Sequence, residues 1–199
     1  MDYGMGNLRS VAKAVERFGE TAYVGDDLKK LAQVEKLILP GVGAFGDAVC
    51  ELKKRNLFHL VRDAAKSGTP LLGICLGLQL FFERSQESPG VKGLGIWKGS
   101  VVKFPPPEQS RLKIPHMGWN DVSLKRPSTI LAHVKEGSYF YFVHSYYAQP
   151  SERKLILGET NHGITFPSIL GSATTFAVQF HPEKSQQAGL QVLKNFIGL

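Results

Sequence analysis

Apolar residues recur along this chain at two different periods, and the change from one to the other divides it near its middle. Leu8, Val11, Val15 and Phe18 fall three or four residues apart, the spacing that keeps side chains on one helical face. With Asn7 placed to cap its start and Gly19 to close its end, the pattern predicts an amphipathic helix over residues 8–18. Lys36-Leu-Ile-Leu39 is a short apolar run cut off by Pro40, Gly41 and Gly43, and reads as a buried strand. Val49, Leu52, Leu57, Leu60 and Val61 then resume helical spacing. Residues 70–74 read as a second buried strand, and 76–84 as the start of another helix.

The second half changes character. Strands are predicted at 100–104, 120–124, 139–143, 154–159, 164–170 and 174–180. Asn161-His-Gly163 and Gly171-Ser172 are turn signals that join the later strands as hairpins. A last helix is predicted over 187–197, and Pro105-Pro-Pro107 marks a stiff surface connection. These elements predict an α/β fold in one domain over 1–199: an open, mixed, mainly parallel sheet flanked by helices. Met1-Asp-Tyr-Gly4 reads as the turn after a strand, yet no strand precedes it, so the first strand of that sheet is expected to be missing.

Length and composition narrow the classes. A chain of 199 residues, 43% hydrophobic, suffices for one sizeable core. Two cysteines make no disulfide framework, and no apolar stretch is long enough to span a bilayer, so a reducing cytoplasm and no membrane are expected. The net charge of +7 raises a nucleic-acid reading. Against it, basic residues such as Lys29-Lys30 and Lys53-Lys54-Arg55 are scattered through helical patterns rather than interleaved with aromatics. No nucleic-acid partner is expected; a solvated basic face, or attraction to an acidic protein or a phosphorylated metabolite, remains. Neither a cofactor nor a metal ion is expected.

The candidate chemistry centres on Cys75, in Pro70-Leu-Leu-Gly-Ile-Cys-Leu-Gly-Leu-Gln79. An apolar strand ends there in Gly-x-Cys-x-Gly and a helix begins, the pattern of a nucleophile elbow carrying sulfur. Gly73 and Gly77 leave room for strand and helix to pack closely, and the first helical N–H groups favour thiolate. Cys50, in a helical pattern without glycine framing, reads as a small apolar core residue. A thiol nucleophile needs a base and a group to orient that base. His181 and Glu183 supply both at the end of a predicted strand, although His181 alone also reads as a surface histidine before a proline turn. Gly41-Val-Gly-Ala-Phe-Gly46 fits a dinucleotide fingerprint. Pro40 intrudes, however, and the unit does not open the chain, so a glycine loop whose Gly43 N–H aims at an oxyanion is the better reading. The Leu76 N–H is the second donor of that oxyanion hole.

Pro40-Gly-Val-Gly43, Gly73-Ile-Cys-Leu-Gly-Leu-Gln79 and His181-Pro-Glu183, in that order, resemble the triad-type class I glutamine amidotransferases. Within them, Asp2-Tyr-Gly-x-Gly-Asn7, Pro115-His-Met-Gly-Trp-Asn120, Tyr141-Phe-Val-His-Ser-Tyr146 and His181-Pro-Glu-Lys-Ser185 resemble the branch that serves histidine biosynthesis. The resemblance implies hydrolysis of L-glutamine by a Cys75, His181, Glu183 triad, with Gln79, Glu87, His144, Ser145 and Tyr146 holding the amino-acid end of glutamine. It also implies a heterodimer with a β/α-barrel cyclase that receives the ammonia; a partner face should expose aromatic and apolar residues among polar ones, and Asn7, Met117, Trp119, Tyr141 and Lys184 are the candidates for it. Apart from the resemblance, Glu87 also reads as a solvated charge, His144 and Tyr146 as polar-tipped core residues, and Trp119 as a core anchor. Other amidotransferase branches, a cysteine hydrolase and a non-catalytic binding subunit are the rival readings.

Overall fold

The computed structural model describes residues 1–106 and 113–199; Pro107 of the proline connection lies outside them. The first helical pattern forms α1 (Leu8–Glu16), burying Val11, Ala14 and Val15. Asn7 occupies the N-cap position, but its side chain makes no capping bond. Next come α2 (Leu28–Leu31), capped by the Asp27 carboxylate, and β1 (Leu37–Gly41). The helical pattern after the glycine loop is two helices, α3 (Phe45–Lys54) and α4 (Leu57–Ser67), because Asn56 adopts a left-handed φ of 57° that no helix continues. β2 (Leu71–Cys75) runs directly into α5 (Leu76–Leu80), which stops earlier than its periodicity predicts.

The remaining strands are β3 (Arg84–Ser85), β4 (Gly99–Lys103), β5 (His116–Leu124), β6 (Ser138–His144), β7 (Tyr146–Pro150), β8 (Ile156–His162), β9 (Ile164–Ser172) and β10 (Thr175–Val178). Helix α6 (Gln186–Ile197) ends the fold. Of the strands, β3 and β7 have no counterpart among the predicted elements. Cys50 is exposed, which corrects its reading as a core residue. The buried face of α3 is Phe45, Ala48, Val49 and Leu52, and a residue one step past Val49 is carried about 100° round the helix toward solvent.

Seven strands form one sheet in the order β1-β2-β10-β9-β8-β5-β6, and β3-β4-β7 form a second. The mixed sheet is parallel only where β2 lies between β1 and β10; the other pairings are antiparallel. The physical reason is connection length: a hairpin such as 162–164 reverses the chain, whereas a parallel neighbour requires a long crossover, such as the α3–α4 segment between β1 and β2. Every residue of β2 is buried, because apolar layers cover both sheet faces. One layer gathers Leu39, Phe45, Leu52, Leu78 and Phe81; the other gathers Ile74, Phe140, Phe142, Phe166 and Phe180. Residues 1–7 pair as no strand, and β1 is the outer strand of its sheet. The Met1 amine donates to the Ile38 carbonyl at 3.2 Å, beside a groove of about 300 Å³ lined by Val11, Val15, Leu31, Ile38 and Phe196. Among the described residues no helix is long and apolar enough to cross a membrane.

Candidate active site

Cys75 sits where β2 becomes α5, with φ 56° and ψ −107°. That backbone is costly for a residue with a Cβ and persists only where packing over-determines it. Here the packing is glycine-dependent. A Cβ at Gly77 would lie 1.9 Å from the Leu39 carbonyl oxygen, and one at Gly73 would lie 2.9 Å from the Gly77 backbone. Strand and helix therefore approach more closely than any other residue type permits. α5 is only five residues long, so the positive field at the sulfur comes from its first-turn N–H groups.

β1 and β10 bring the other parts to the same end of the sheet. Gly41 is the register partner of Cys75, so the glycine loop leaves β1 beside the elbow. Gly43 has a φ of 97°, is exposed, and its N–H makes no hydrogen bond among the described residues. β10 leads to Gln179 and His181. The His181 N–H donates to the Tyr141 carbonyl at 2.9 Å, and Ser185 Oγ donates to the His181 carbonyl at 2.6 Å, so the turn is pinned to β6. Pro182 opens a 3₁₀ turn, Pro182–Lys184, that folds Glu183 back onto the imidazole. Nδ1 of His181 stands 2.9 Å from Glu183 Oε1, with both side chains almost fully buried.

Burial disfavours the His181 imidazolium, but the Cys75 sulfur and the Glu183 carboxylate outweigh it and raise His181 to about 9. The sulfur thus stands beside the ring, while Nε2 makes no hydrogen bond of regular geometry. Catalytic bonds of this kind are often loose before substrate enters. The Gln179 amide nitrogen lies 3.8 Å from Sγ, and Sγ lies 3.9 Å from the Val143 carbonyl. Tyr3 is fully buried, its hydroxyl unpartnered among the described residues. Burial first, and then Cys75, push its phenol up, which places it near the sulfur.

Of the expected glutamine-binding residues, Gln79 and Tyr146 meet directly: Gln79 Nε2 donates to the Tyr146 carbonyl at 3.1 Å. Glu87 stands near the Tyr146 phenol, which burial and then the Glu87 charge raise. One Glu87 oxygen is already engaged, accepting the Phe45 N–H at the start of α3 at 2.7 Å. Ser145 is half-buried at the corner between β6 and β7. The His144 side chain is placed otherwise: its two ring nitrogens bond the Tyr146 carbonyl and His116, and its ring lies against Phe104 and Phe166. Sequence reasoning missed Gln179, Tyr3 and His116; a lone glutamine at the end of an apolar strand was the available signal for the first.

The expected docking residues are mostly at the surface. Met117 and Trp119 are 63% and 46% exposed, which removes the reading of Trp119 as a core anchor. Trp119 meets Tyr141 edge-on at 6.1 Å, and Lys184 Nζ lies 5.9 Å from the Tyr141 ring centre. Tyr139, unforeseen, extends this patch at 59% exposure. Asn7 stands apart at the start of α1, which packs against the Pro182–Lys184 turn.

Comparison with known proteins agrees with this geometry. The family model "Glutamine amidotransferase class-I" matches residues 1–198. The chain is 46% identical over 201 residues to the imidazole glycerol phosphate synthase subunit HisH of Geobacillus kaustophilus (strain HTA426), covering 100% of this chain and 95% of that protein. It is 48% identical over 197 residues to the HisH subunit of Aquifex aeolicus (strain VF5), covering 98% and 93%. Among solved structures, a glutamine amidotransferase superposes with a TM-score of 0.76 at 17% identity, covering 98% of this chain and 96% of that one. PurLQS from Thermotoga maritima superposes at 0.73 and 20% identity, covering 99% and 95%, a likeness of fold. An elbow cysteine and a buried histidine–carboxylate pair at one sheet end, matched along nearly the whole length, mean that the chain belongs to the class I glutamine amidotransferases.

Proposed function

We propose that this chain is the glutaminase subunit of an imidazole glycerol phosphate synthase in histidine biosynthesis, hydrolysing L-glutamine and passing ammonia to a cyclase partner. The observation that carries the chemistry is the elbow cysteine with a buried His181–Glu183 pair beside it; the relatives' names carry the pathway. Cys75 gives its proton to His181, and the thiolate attacks the side-chain amide carbon of glutamine. Charge gathers on the amide oxygen, for which the N–H groups of Gly43 and Leu76 are the donors. As the adduct collapses, the His181 imidazolium protonates the leaving nitrogen and ammonia departs, leaving a γ-glutamyl thioester. His181 then takes a proton from water, the hydroxide attacks the thioester carbon, and glutamate leaves as the thiol is restored.

Glu87, with one oxygen beyond its bond to the Phe45 N–H, meets the substrate ammonium together with Gln79 Oε1, because the Tyr146 carbonyl and Gln179 Oε1 take both Gln79 Nε2 hydrogens; the backbone near Ser145 meets the substrate carboxylate. His144 acts there through the corner it closes rather than through a free ring nitrogen. The ammonia leaves for a β/α-barrel cyclase docked on the Met117, Trp119, Tyr141 and Lys184 face, with Asn7 at its margin. An exposed aromatic and methionine patch among polar residues is the surface such a partner covers. The test is glutamate release from glutamine by the chain alone and with a barrel-type cyclase subunit plus its nucleotide substrate. Strong release in the complex supports the reading. No release from well-folded protein in either state moves the assignment to a non-catalytic binding subunit.

A further inference from the structure

Behind the corner that carries Tyr146 runs a chain of polar side chains, half-buried Asn120 and the buried rings of His116 and His144, that ends on the Tyr146 carbonyl. Its protons can be placed from the hydrogen-bond partners alone. A carbonyl only accepts, so His144 Nδ1, 2.8 Å from the Tyr146 oxygen, carries a hydrogen. His144 Nε2 is then a lone pair, and His116 Nδ1 at 2.9 Å must donate to it. That leaves His116 Nε2 as an acceptor, with Asn120 Nδ2 at 3.1 Å as its donor. The Asn120 amide orientation is settled independently, because Nδ2 donates to the Asn161 carbonyl at 2.8 Å and Oδ1 accepts the Asp121 N–H at 2.9 Å. Both ends demand the same direction, and a second proton on either ring would set donor against donor.

We infer that His116 and His144 are positioning residues for glutamine binding, two neutral Nδ1–H imidazoles in a one-directional relay that holds the Tyr146 carbonyl where Gln79 is anchored. The inference rests on the reading of Gln79 as a substrate contact. Tyr146 O takes Nδ1–H from His144 and Nε2–H from Gln79, and Gln79 continues to Gln179 Oε1 at 3.3 Å, beside the sulfur. Ser145 is the single residue between β6 in the large sheet and β7 in the small one, so the His144 bond closes the corner at which the sheets meet. Burial holds both rings neutral, His116 at about 4 and His144 at about 3. His162, stacked on His116 at 4.2 Å, adds to the penalty for a cation there.

Long-range proton–nitrogen spectra of the full chain labelled with ¹⁵N-histidine test the proton placement. His116 and His144 should both show a protonated Nδ1 and a bare Nε2 at neutral pH. An Nε2–H tautomer or an imidazolium at either ring overturns the relay. Steady-state glutaminase kinetics in the complex with the cyclase test its purpose. His116→Phe should raise KM for glutamine about tenfold with kcat changed by less than about threefold, the loss of roughly one hydrogen bond's worth of binding. His116→Asn, which keeps a donor where Nδ1 stood, should recover most of that loss. An unchanged KM, or equal losses from both variants, overturns the positioning role. A wild-type complex with no glutaminase would instead sink the proposed function, and the role in glutamine binding with it, while the spectra would still decide the proton order.

Discussion

His181 is the residue at which environment changes chemistry most. Its ring is buried, which alone would keep it neutral, yet a sulfur and a carboxylate raise it to about 9. A folded value above the ordinary 6.5 means that the imidazolium adds stability below about 6.5, and that this is lost as pH rises through about 9. In the proposed mechanism the same cation protonates the leaving amine, so kcat for glutamine hydrolysis should fall on the alkaline side of about 9. Glu183→Gln removes one of the two raising influences. A pH–rate profile should show that limb moving toward neutrality and kcat falling on the order of a hundredfold or more. An unmoved limb would exclude Glu183 as the orienting carboxylate. Alkylation separates the thiols only once the exposed Cys50 is removed. In a Cys50→Ser background, iodoacetamide should label Cys75 and glutamine should slow the labelling. The juxtaposition of Cys75, His181 and Glu183 was legible because the strand end, glycine frame and proline turn are local signals. His116 and Gln179 were not, since their meaning lies in partners distant along the chain. Cys50 was misplaced by its phase on α3, where one residue's step separates core from solvent.

Among the elements, the elbow is set by backbone contact rather than by side-chain packing. β1, β2 and α5 meet so closely that the Leu39 carbonyl occupies the space of a Gly77 Cβ. Gly77→Ala should therefore cost about 3 kcal/mol or more, the size expected when a core clash has no flexible neighbour to absorb it, and should lower the denaturant midpoint accordingly. An unchanged midpoint would mean that the strand and helix can part without penalty. Strong periodicity made α1 and α6 legible, and a strand bounded by Pro40 and Gly41 made β1 so. β7 was hidden because Tyr146-Tyr-Ala-Gln-Pro150 neither alternates nor forms an apolar run; its pairing with β4 is what makes it a strand. The break at Asn56 was likewise invisible to a pattern whose apolar spacing continues across it. The parallel share was over-read because strand–helix alternation speaks for only part of the chain, and the hairpins that follow build the larger share of the sheet.

For the molecule as a whole, the elbow end of the sheet and the exposed aromatic face share β6, whose Tyr141 lies in the patch and whose Val143 carbonyl faces the sulfur. A partner seated on Met117, Trp119 and Tyr139 therefore sits one strand from the chemistry. Trp119→Ala should weaken binding of a barrel cyclase by about ten- to a hundredfold in titration calorimetry, because large aromatics anchor such faces, and should leave the isolated chain's stability nearly unchanged, since that ring is half exposed. Unaltered affinity would put the docking face elsewhere. Synthesis by the cyclase complex with Cys75→Ala reaches the central claim most directly, measured once with glutamine and once with ammonium salt as nitrogen source. Glutamine-dependent synthesis should vanish while ammonium-dependent synthesis persists. Retained glutamine-dependent synthesis, or loss of both, would contradict a glutaminase that works through the Cys75 thiolate and feeds its ammonia to a partner.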